Sequence, residues 1–135
     1  MFEMRLQTYW SDCDSACIVF YANYFRFLEQ AEEELFRKAG LDRQALLLGN
    51  RVWMPRVETF AKFIRPIRLG GAIRVRLHPQ LKGEVTVRYD FELLDDATGE
   101  KITEGYLTVV CVDATHFKAT PIPEPIRNAI IAAIP

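Results

Sequence analysis

The sequence lacks a strong net charge, a long apolar run and a signal peptide. Its formal net charge is −1, so it has neither the basic surface typical of nucleic-acid-binding proteins nor a polyacidic tail. No apolar run reaches the roughly 18 residues that a membrane-spanning helix needs. The first residues, MFEMRLQ, lack the basic and apolar blocks of a signal peptide. We therefore expect a soluble cytoplasmic protein that binds neither nucleic acid nor membranes.

Cysteine is scarce as well. The three cysteines, Cys13, Cys17 and Cys111, are an odd number and follow neither a disulfide framework nor a zinc-ligand spacing. We expect free thiols, as in a reducing compartment. What the chain does have is ordinary globular composition, with 50% hydrophobic residues over 135 positions. That length predicts a single domain, spanning residues 1–135, with a proper hydrophobic core.

Two helices are predicted in the first half of the chain. Apolar residues recur at helical spacing over residues 24–36, with Asn23 in the N-cap position and Gly40 just beyond the C-terminus. A shorter helix is predicted over residues 42–48, with Asp42 as its N-cap. The long helix is apolar over more than a narrow stripe, which suits burial on several sides.

The rest of the chain favours strands and a terminal helix. Alternating apolar residues and turn signals predict strands at residues 2–10, 51–64, 72–81, 84–94 and 101–113, and a short one in HFKAT. Gly83 and Gly99 supply the turns between the later strands. The segment PEPIRNAIIAAI predicts a C-terminal helix that begins with proline. This order indicates an α+β fold in which an antiparallel sheet covers the long helix.

One segment carries a family resemblance. The stretch DCDSACIVFYANYFRFLE closely resembles the loop that leads into the helix of hot-dog thioesterases, and the likeness is densest to the 4-hydroxybenzoyl-CoA thioesterase branch. The family signature reads Asp-x-Asp-x-x-Gly, then Ile or Val, Val, two aromatic residues, two further positions and Tyr. Looser support comes from the MP before the second strand, the FIRP before a GG turn, and the PIP before the last helix.

The resemblance implies a fold and an assembly. It implies a long central helix wrapped by a curved antiparallel sheet, with a C-terminal helix. It also implies a homodimer that joins two sheets edge to edge, or a homotetramer built from such dimers, with active sites at the dimer interface. An exposed sheet edge needs such a cover.

The resemblance further implies an acyl-CoA thioesterase with two catalytic groups. Asp14 matches the family's catalytic carboxylate, and the backbone N–H of Tyr21 matches the group that polarises the thioester carbonyl. Such an amide suits the task, since unpaired N–H groups at a helix N-terminus favour negative charge. An aspartate is ordinarily ionised at neutral pH, so it can act as nucleophile or as general base. No cofactor is expected, because coenzyme A is part of the substrate.

Asp12 and Cys17 are open to more than one interpretation. We expect Asp12 to shape the loop. The Asp pair would also suit a divalent cation, but no histidine or third carboxylate is placed beside it, so no metal is expected. Cys17 stands where the family usually has glycine, which permits unusual backbone angles. It could be a nucleophile near a helix start, although no histidine is placed to activate it. We expect instead a small buried filler that is tolerated within the substrate site.

The candidates for substrate contact come from the loop, the second strand and the strand ends. Basic groups at a pocket rim suit the phosphates of coenzyme A, although charged strand ends are often only solvated. The residues expected to contact substrate are Cys17, Ile18, Tyr24, Thr59, Phe60, Lys62, Arg65 and Lys82.

Three alternatives to hydrolysis of acyl-CoA remain open at this stage. The substrate could be an acyl-carrier-protein thioester, because an acidic carrier would suit the arginines between residues 65 and 76. The chain could be a non-catalytic acyl-CoA-binding module on the same fold. A hot-dog hydratase is disfavoured, because such enzymes generally need a histidine near the helix start, whereas His78 and His116 follow much later.

Overall fold

The structure, a computed structural model, describes residues 1–134 of the chain. The helices are α1 (Asn23–Lys38), α2 (Arg43–Asn50) and α3 (Glu124–Ala132). The strands are β1 (Phe2–Gln7), β2 (Val52–Trp53), β3 (Arg56–Phe63), β4 (Ala72–Lys82), β5 (Thr86–Asp95), β6 (Lys101–Val110) and β7 (Val112–Asp113). Within these residues, no helix is both long enough and apolar enough to cross a membrane.

The main sheet has five antiparallel strands in the order β1-β4-β5-β6-β3. Every second residue of its central strands is buried, so one face of the sheet packs against α1. The buried apolar residues of α1 are Tyr24, Phe27, Leu28, Ala31, Leu35 and Phe36. The predicted α+β arrangement of a sheet over one long helix is therefore what the chain adopts.

Several predicted element boundaries are wrong. The predicted strand at 2–10 ends at Gln7, because Trp10–Asp12 turns into a 3₁₀ helix. The segment predicted as one strand at 51–64 is two, separated by Met54 and Pro55, and proline cannot donate to a strand ladder. Its first part, β2, leaves the main sheet and pairs with β7.

The later predictions at the strand and helix ends also need correction. The segment 101–113 is divided into β6 and β7 by Cys111, and HFKAT forms only an isolated bridge, between Ala119 and Val112. The N-cap of α1 is Ala22 rather than Asn23. Asp42 does cap α2, because its side chain accepts a hydrogen bond from the Ala45 amide at 3.1 Å.

Strand β3 forms one edge of the main sheet and pairs only with β6. It carries exposed apolar side chains along its length, with Val57 58% exposed, Phe60 51% and Phe63 47%. An unpaired edge with this composition is a ready template for a second strand. This edge lies beside α1, so it also borders whatever site forms at that helix.

Gly105 allows β3 to approach β6. A Cβ atom at this position would lie 2.8 Å from the Phe91 ring and would overlap the Phe60 carbonyl oxygen. Both contacts are closer than real Cβ atoms show, and one of them is to backbone. A side chain at residue 105 would therefore push the edge strand away from the sheet.

We expect Gly105→Ala to lower the free energy of unfolding by at least about 3 kcal/mol, because overpacking and lost pairing act together. Urea denaturation gives this value. Gly49→Ala is the matched control, since a Cβ there meets nothing within 4 Å and the residue lies in α2. This control should gain about 0.5–1 kcal/mol. Equal effects of the two substitutions would contradict this account of Gly105.

Candidate active site

The loop before α1 is a tight hairpin whose three-residue turn, residues 15–17, directly follows Asp14. Cys13 and Val19 form an antiparallel bridge, and the Asp14 amide donates to the Ile18 carbonyl at 2.9 Å. The turn closes when the Cys17 amide donates to the Asp14 carbonyl at 3.0 Å. Such a three-residue hairpin loop commonly ends in a residue with left-handed backbone angles.

Cys17 is that left-handed residue, with a φ of 60°. The cysteine therefore keeps the backbone conformation that glycine would adopt most easily, at a cost of about 1–2 kcal/mol. The prediction that Cys17 is a buried filler is wrong, because its side chain is exposed. Cys17 lines a cavity of about 340 Å³ with Trp10, Cys13 and Leu69, next to Asp14.

Asp14 is an exposed residue at the start of the hairpin turn. Its Oδ1 accepts a hydrogen bond from the Ala16 amide at 2.9 Å, which orients the side chain. It borders a second pocket, of about 320 Å³, whose walls include Tyr21, Tyr24 and Phe63. The carboxylate therefore lies where two cavities meet.

Asp12 is only 5% exposed, and its contacts agree with the predicted structural role. Its Oδ2 accepts a hydrogen bond from the Tyr9 amide at 2.8 Å, and its Oδ1 pairs with the Arg26 guanidinium. Its carbonyl accepts hydrogen bonds from the Phe20 amide at 2.9 Å and from Asn23 Nδ2 at 2.8 Å. Asp12 thus joins the loop to the first turn of α1.

The Tyr21 amide precedes α1 and has no hydrogen-bond partner within residues 1–134. The turn closes around it, because the Tyr24 amide donates to the Tyr21 carbonyl at 3.2 Å. Free N–H groups at this end of a helix attract negative charge. The Tyr21 ring is exposed and meets Phe63 edge-on, with 6.4 Å between ring centroids.

Tyr24 forms the inner wall of the same pocket. It is 4% exposed, and its ring packs edge-on against Phe63 at 5.0 Å between centroids. Burial raises the pKa of the Tyr24 hydroxyl, a hydrogen bond with the Ile67 backbone opposes that rise, and the nearby Asp14 carboxylate adds to it. Tyr24 is therefore a neutral hydroxyl close to Asp14 at neutral pH.

The pocket unites some of the predicted residues and adds others. Asp14, Ile18, Tyr21, Tyr24 and Arg65 all line it. The residues that the sequence did not single out are Val19, Phe63, Ile64 and Pro66. Three of these belong to the FIRP segment, so the looser part of the family resemblance was the signal that pointed to them.

The structure does not bring Phe60, Lys62 or Lys82 to this pocket. In β3, Phe63 faces α1, whereas Phe60 and Lys62 point to the opposite face of the sheet. The Phe60 ring stacks on Tyr106 there, at 5.9 Å.

Lys82 and Thr59 are also displaced from the pocket within one chain. Phe63 aligns across the sheet with Val75, and Lys82 lies roughly 24 Å further along β4. Thr59 faces α1 but lies about 14 Å from Phe63 along β3. Its hydroxyl donates to the Tyr106 carbonyl at 3.2 Å.

A third cavity, a cleft of about 360 Å³, lies at the other end of β3, and the sequence did not predict it. Two arginines and two glutamates form its polar wall. Arg43 contacts Glu29 at 2.6 Å and Glu32 at 2.5 Å, and Arg56 contacts Glu29 at 2.6 Å and also pairs with Glu32. Burial alone would raise the pKa of Glu29, but Arg56 and Arg43 outweigh it and lower that pKa. Trp53 supplies apolar wall, so this cleft is amphipathic.

Comparisons with known proteins identify the family of the chain. Residues 8–130 match the family described as Thioesterase-like superfamily, and the chain belongs to it. The 1,4-dihydroxy-2-naphthoyl-CoA hydrolase of Thermosynechococcus vestitus is 25% identical over 124 residues, which cover 92% of this chain and 84% of that protein. The acyl-CoA thioester hydrolase YbgC of Escherichia coli O157:H7 is 24% identical over 126 residues, which cover 93% and 92%.

Solved structures show the same fold. The 1,4-dihydroxy-2-naphthoyl-CoA thioesterase Slr0204 from Synechocystis has a TM-score of 0.91 at 22% identity, covering 96% of this chain and 95% of that one. The BH1999 gentisyl-coenzyme A thioesterase has a TM-score of 0.79 at 22% identity, covering 95% and 98%. The prediction of a hot-dog fold is confirmed, and so is that of a thioester hydrolase at the level of the family.

We expect Cys17→Gly to raise the free energy of unfolding by about 1 kcal/mol, because glycine adopts a φ near 60° without steric strain. Chemical denaturation gives the value. Cys17→Ala is the matched control, since it removes the thiol but keeps a Cβ and its strain, and it should bring little gain. A loss of stability in the glycine variant would show that the thiol, rather than the backbone, governs this position.

Proposed function

We propose that this member of the thioesterase-like superfamily hydrolyses an acyl-CoA thioester to the free acid and coenzyme A. Asp14 serves as nucleophile or general base, and the Tyr21 amide polarises the thioester carbonyl. One observation carries the proposal. Asp14, which is exposed, and Tyr21, whose amide has no partner within residues 1–134, line the same pocket of about 320 Å³.

The chemistry needs little beyond these two groups. The carbonyl oxygen accepts a hydrogen bond from the Tyr21 amide, which stabilises the negative charge that develops there. In one route, the Asp14 carboxylate attacks the carbonyl carbon and expels the coenzyme A thiolate, and water then hydrolyses the acyl anhydride. In the other, the carboxylate takes a proton from water, and the resulting hydroxide attacks the same carbon. A thiolate is a good leaving group, because thiols ordinarily ionise near pH 8.5.

Basic residues at the pocket mouth support coenzyme A as the carrier of the acyl group. Arg65 borders the pocket, and its partner, Glu100, lies 3.8 Å away in a solvent-exposed pair. Arg68 is exposed and forms an isolated β-bridge with Ile18, which lines the same pocket. We propose that these two arginines bind phosphate groups of the substrate. An acyl-carrier-protein thioester presents a phosphate in the same place, so both carriers belong in the substrate panel.

The walls of the pocket support an aromatic acyl group. Tyr21, Tyr24 and Phe63 surround it, and aromatic rings pack favourably edge-on against one another. The names of two relatives specify hydroxylated aromatic acyl groups. We propose aromatic acyl-CoA as the first substrate class for this chain, with short aliphatic acyl-CoA as the comparison.

We also propose that the site is completed by a second copy of the chain. The free edge strand β3 is eight residues long and carries the exposed apolar side chains of Val57, Phe60 and Phe63, and antiparallel pairing of two such edges would protect both. Pairing centred on Thr59 and Phe60 would set the start of one β3 against the end of the other. The amphipathic cleft of one subunit would then adjoin the Asp14 pocket of its partner.

We expect Asp14→Asn to lower kcat at least about 100-fold on any acyl-CoA that the wild type hydrolyses, because the variant keeps the shape but loses the carboxylate. Release of the coenzyme A thiol, followed with a thiol reagent, gives the rate. Asp42→Asn is the matched control, since asparagine caps a helix as well as aspartate does. Full activity in Asp14→Asn would exclude this residue. Saturable binding without turnover in the wild type would indicate a non-catalytic module.

The edge-to-edge dimer has a separate test. The chain has a mass of 15.6 kDa, so light scattering should give twice or four times that value for the wild type. Val57→Lys places a charge on the exposed edge and should shift the population toward monomer. Lys118→Glu, an exposed charge reversal away from β3, should leave the mass unchanged. A monomeric wild type would refute the pairing.

A further inference from the structure

We infer that Asn23 and the Asp12–Arg26 pair, in which the aspartate is buried, are positioning residues, which hold the Tyr21 amide unpaired beside the pocket that Asp14 lines. This inference rests on the proposed function. It adds three side chains to the site that do not touch the substrate. None of them lines the pocket of about 320 Å³.

A single carbonyl fixes both sides of the Tyr21 amide. The Asp12 carbonyl accepts one hydrogen bond from the Phe20 amide at 2.9 Å and another from Asn23 Nδ2 at 2.8 Å. These two donors belong to residues on either side of Tyr21 and Ala22. The turn is tightened further because the Asn23 amide donates to the Phe20 carbonyl at 2.9 Å. The Tyr21 amide is thus held between two anchored points.

Asp12 is itself held rigidly. Its carboxylate accepts from the Tyr9 amide at 2.8 Å and pairs with Arg26, which projects from the first turn of α1. The Arg26 guanidinium also lies 5.2 Å from the Phe27 ring centroid. A carboxylate that is 5% exposed and is bound on both oxygens has little freedom to shift. Its carbonyl therefore holds Phe20 and Asn23, which donate hydrogen bonds to it, in fixed positions.

The same residue connects the two catalytic groups. Asp14 follows Asp12 by two positions along the chain, and Tyr21 follows directly after a residue bonded to the Asp12 carbonyl. The distance between carboxylate and amide is consequently set through Asp12 as well as through the hairpin itself. Displacements of about 1 Å at such a site lower rates about 100-fold.

If Asn23, Asp12 and Arg26 only stabilised the fold, their substitution would have different effects from those expected for positioning of the Tyr21 amide. Loss of a fold anchor would lower stability and weaken the binding of every ligand alike. Loss of amide positioning would weaken only those ligands, and those steps, that use the carbonyl oxygen. Asn23 is the best residue for the distinction, because alanine is a better helix former than asparagine and should keep α1 intact.

The experiment compares Asn23→Ala with the wild type in turnover and in binding. Gln30→Ala is the matched control, because it removes an exposed amide side chain from the same helix. Two analogues serve as binding probes: an S-alkyl coenzyme A thioether, which lacks the carbonyl, and the corresponding ketone, in which a methylene group separates sulfur from the carbonyl. Arg26→Lys and Arg26→Met test the ion pair, since lysine retains the charge that faces Asp12.

We expect Asn23→Ala to lower kcat about 10- to 100-fold with little change in KM, because an oxyanion donor acts mainly in the transition state. Ketone binding should weaken several-fold while thioether binding is retained, and Arg26→Lys should keep more activity than Arg26→Met. Equally weakened binding of both analogues, or an unchanged kcat, would overturn the inference.

The proposed function can fail separately. It fails if the wild type binds both analogues but hydrolyses no acyl-CoA, and in that case the loss of affinity of Asn23→Ala for the ketone, compared with the thioether, still decides the positioning role. If the wild type binds neither, both proposals fail.

Discussion

The candidate site depends on a backbone amide that is kept from pairing. The first N–H groups of a helix have no partner within the helix. Here the Tyr21 amide has no partner within residues 1–134 and lies between Phe20 and Asn23, which both donate to the Asp12 carbonyl. Asp12 in turn is held by Arg26 on the helix and by the Tyr9 amide ahead of the loop. One buried residue therefore connects the carboxylate, the amide and the helix that carries it.

The rest of the fold keeps this arrangement in place and leaves one side of it open. Helix α1 is buried along one face by the sheet, which prevents its N-terminus from shifting. Strand β3 reaches the pocket at Phe63 and has no neighbour on its outer edge among residues 1–134. Gly105 allows this edge strand to stay close to β6. The pocket thus lies where a rigid helix start meets the end of an unpaired strand, and a second subunit would fit there.

The sequence predicted what depends on local pattern and failed where three-dimensional placement decides. Helical spacing in α1 and alternation in β4 and β5 were sufficient to predict those elements, and Asp42 was predicted correctly as a cap. Cys17 stands where the family usually has glycine, which permits unusual backbone angles, but only the structure shows that Cys17 adopts a left-handed one. Phe60 was misplaced because the resemblance identified a strand, whereas the pleat decides which face each of its residues occupies.

Longer-range placement was harder still. Lys82 was chosen for its charge at a strand end, and its distance from the pocket follows from the register of three strand pairs. The cluster of Glu29, Glu32, Arg43 and Arg56 unites residues up to 27 positions apart, and no pattern in the sequence predicted it.

The central claim is that the Tyr21 amide polarises the thioester carbonyl. The most direct test is the carbonyl stretching frequency of a bound aromatic acyl-CoA, measured by Raman difference spectroscopy in the slow Asp14→Asn variant. A shift to lower frequency than in water is predicted, because the Tyr21 amide polarises the bond, and an unshifted carbonyl would contradict the account.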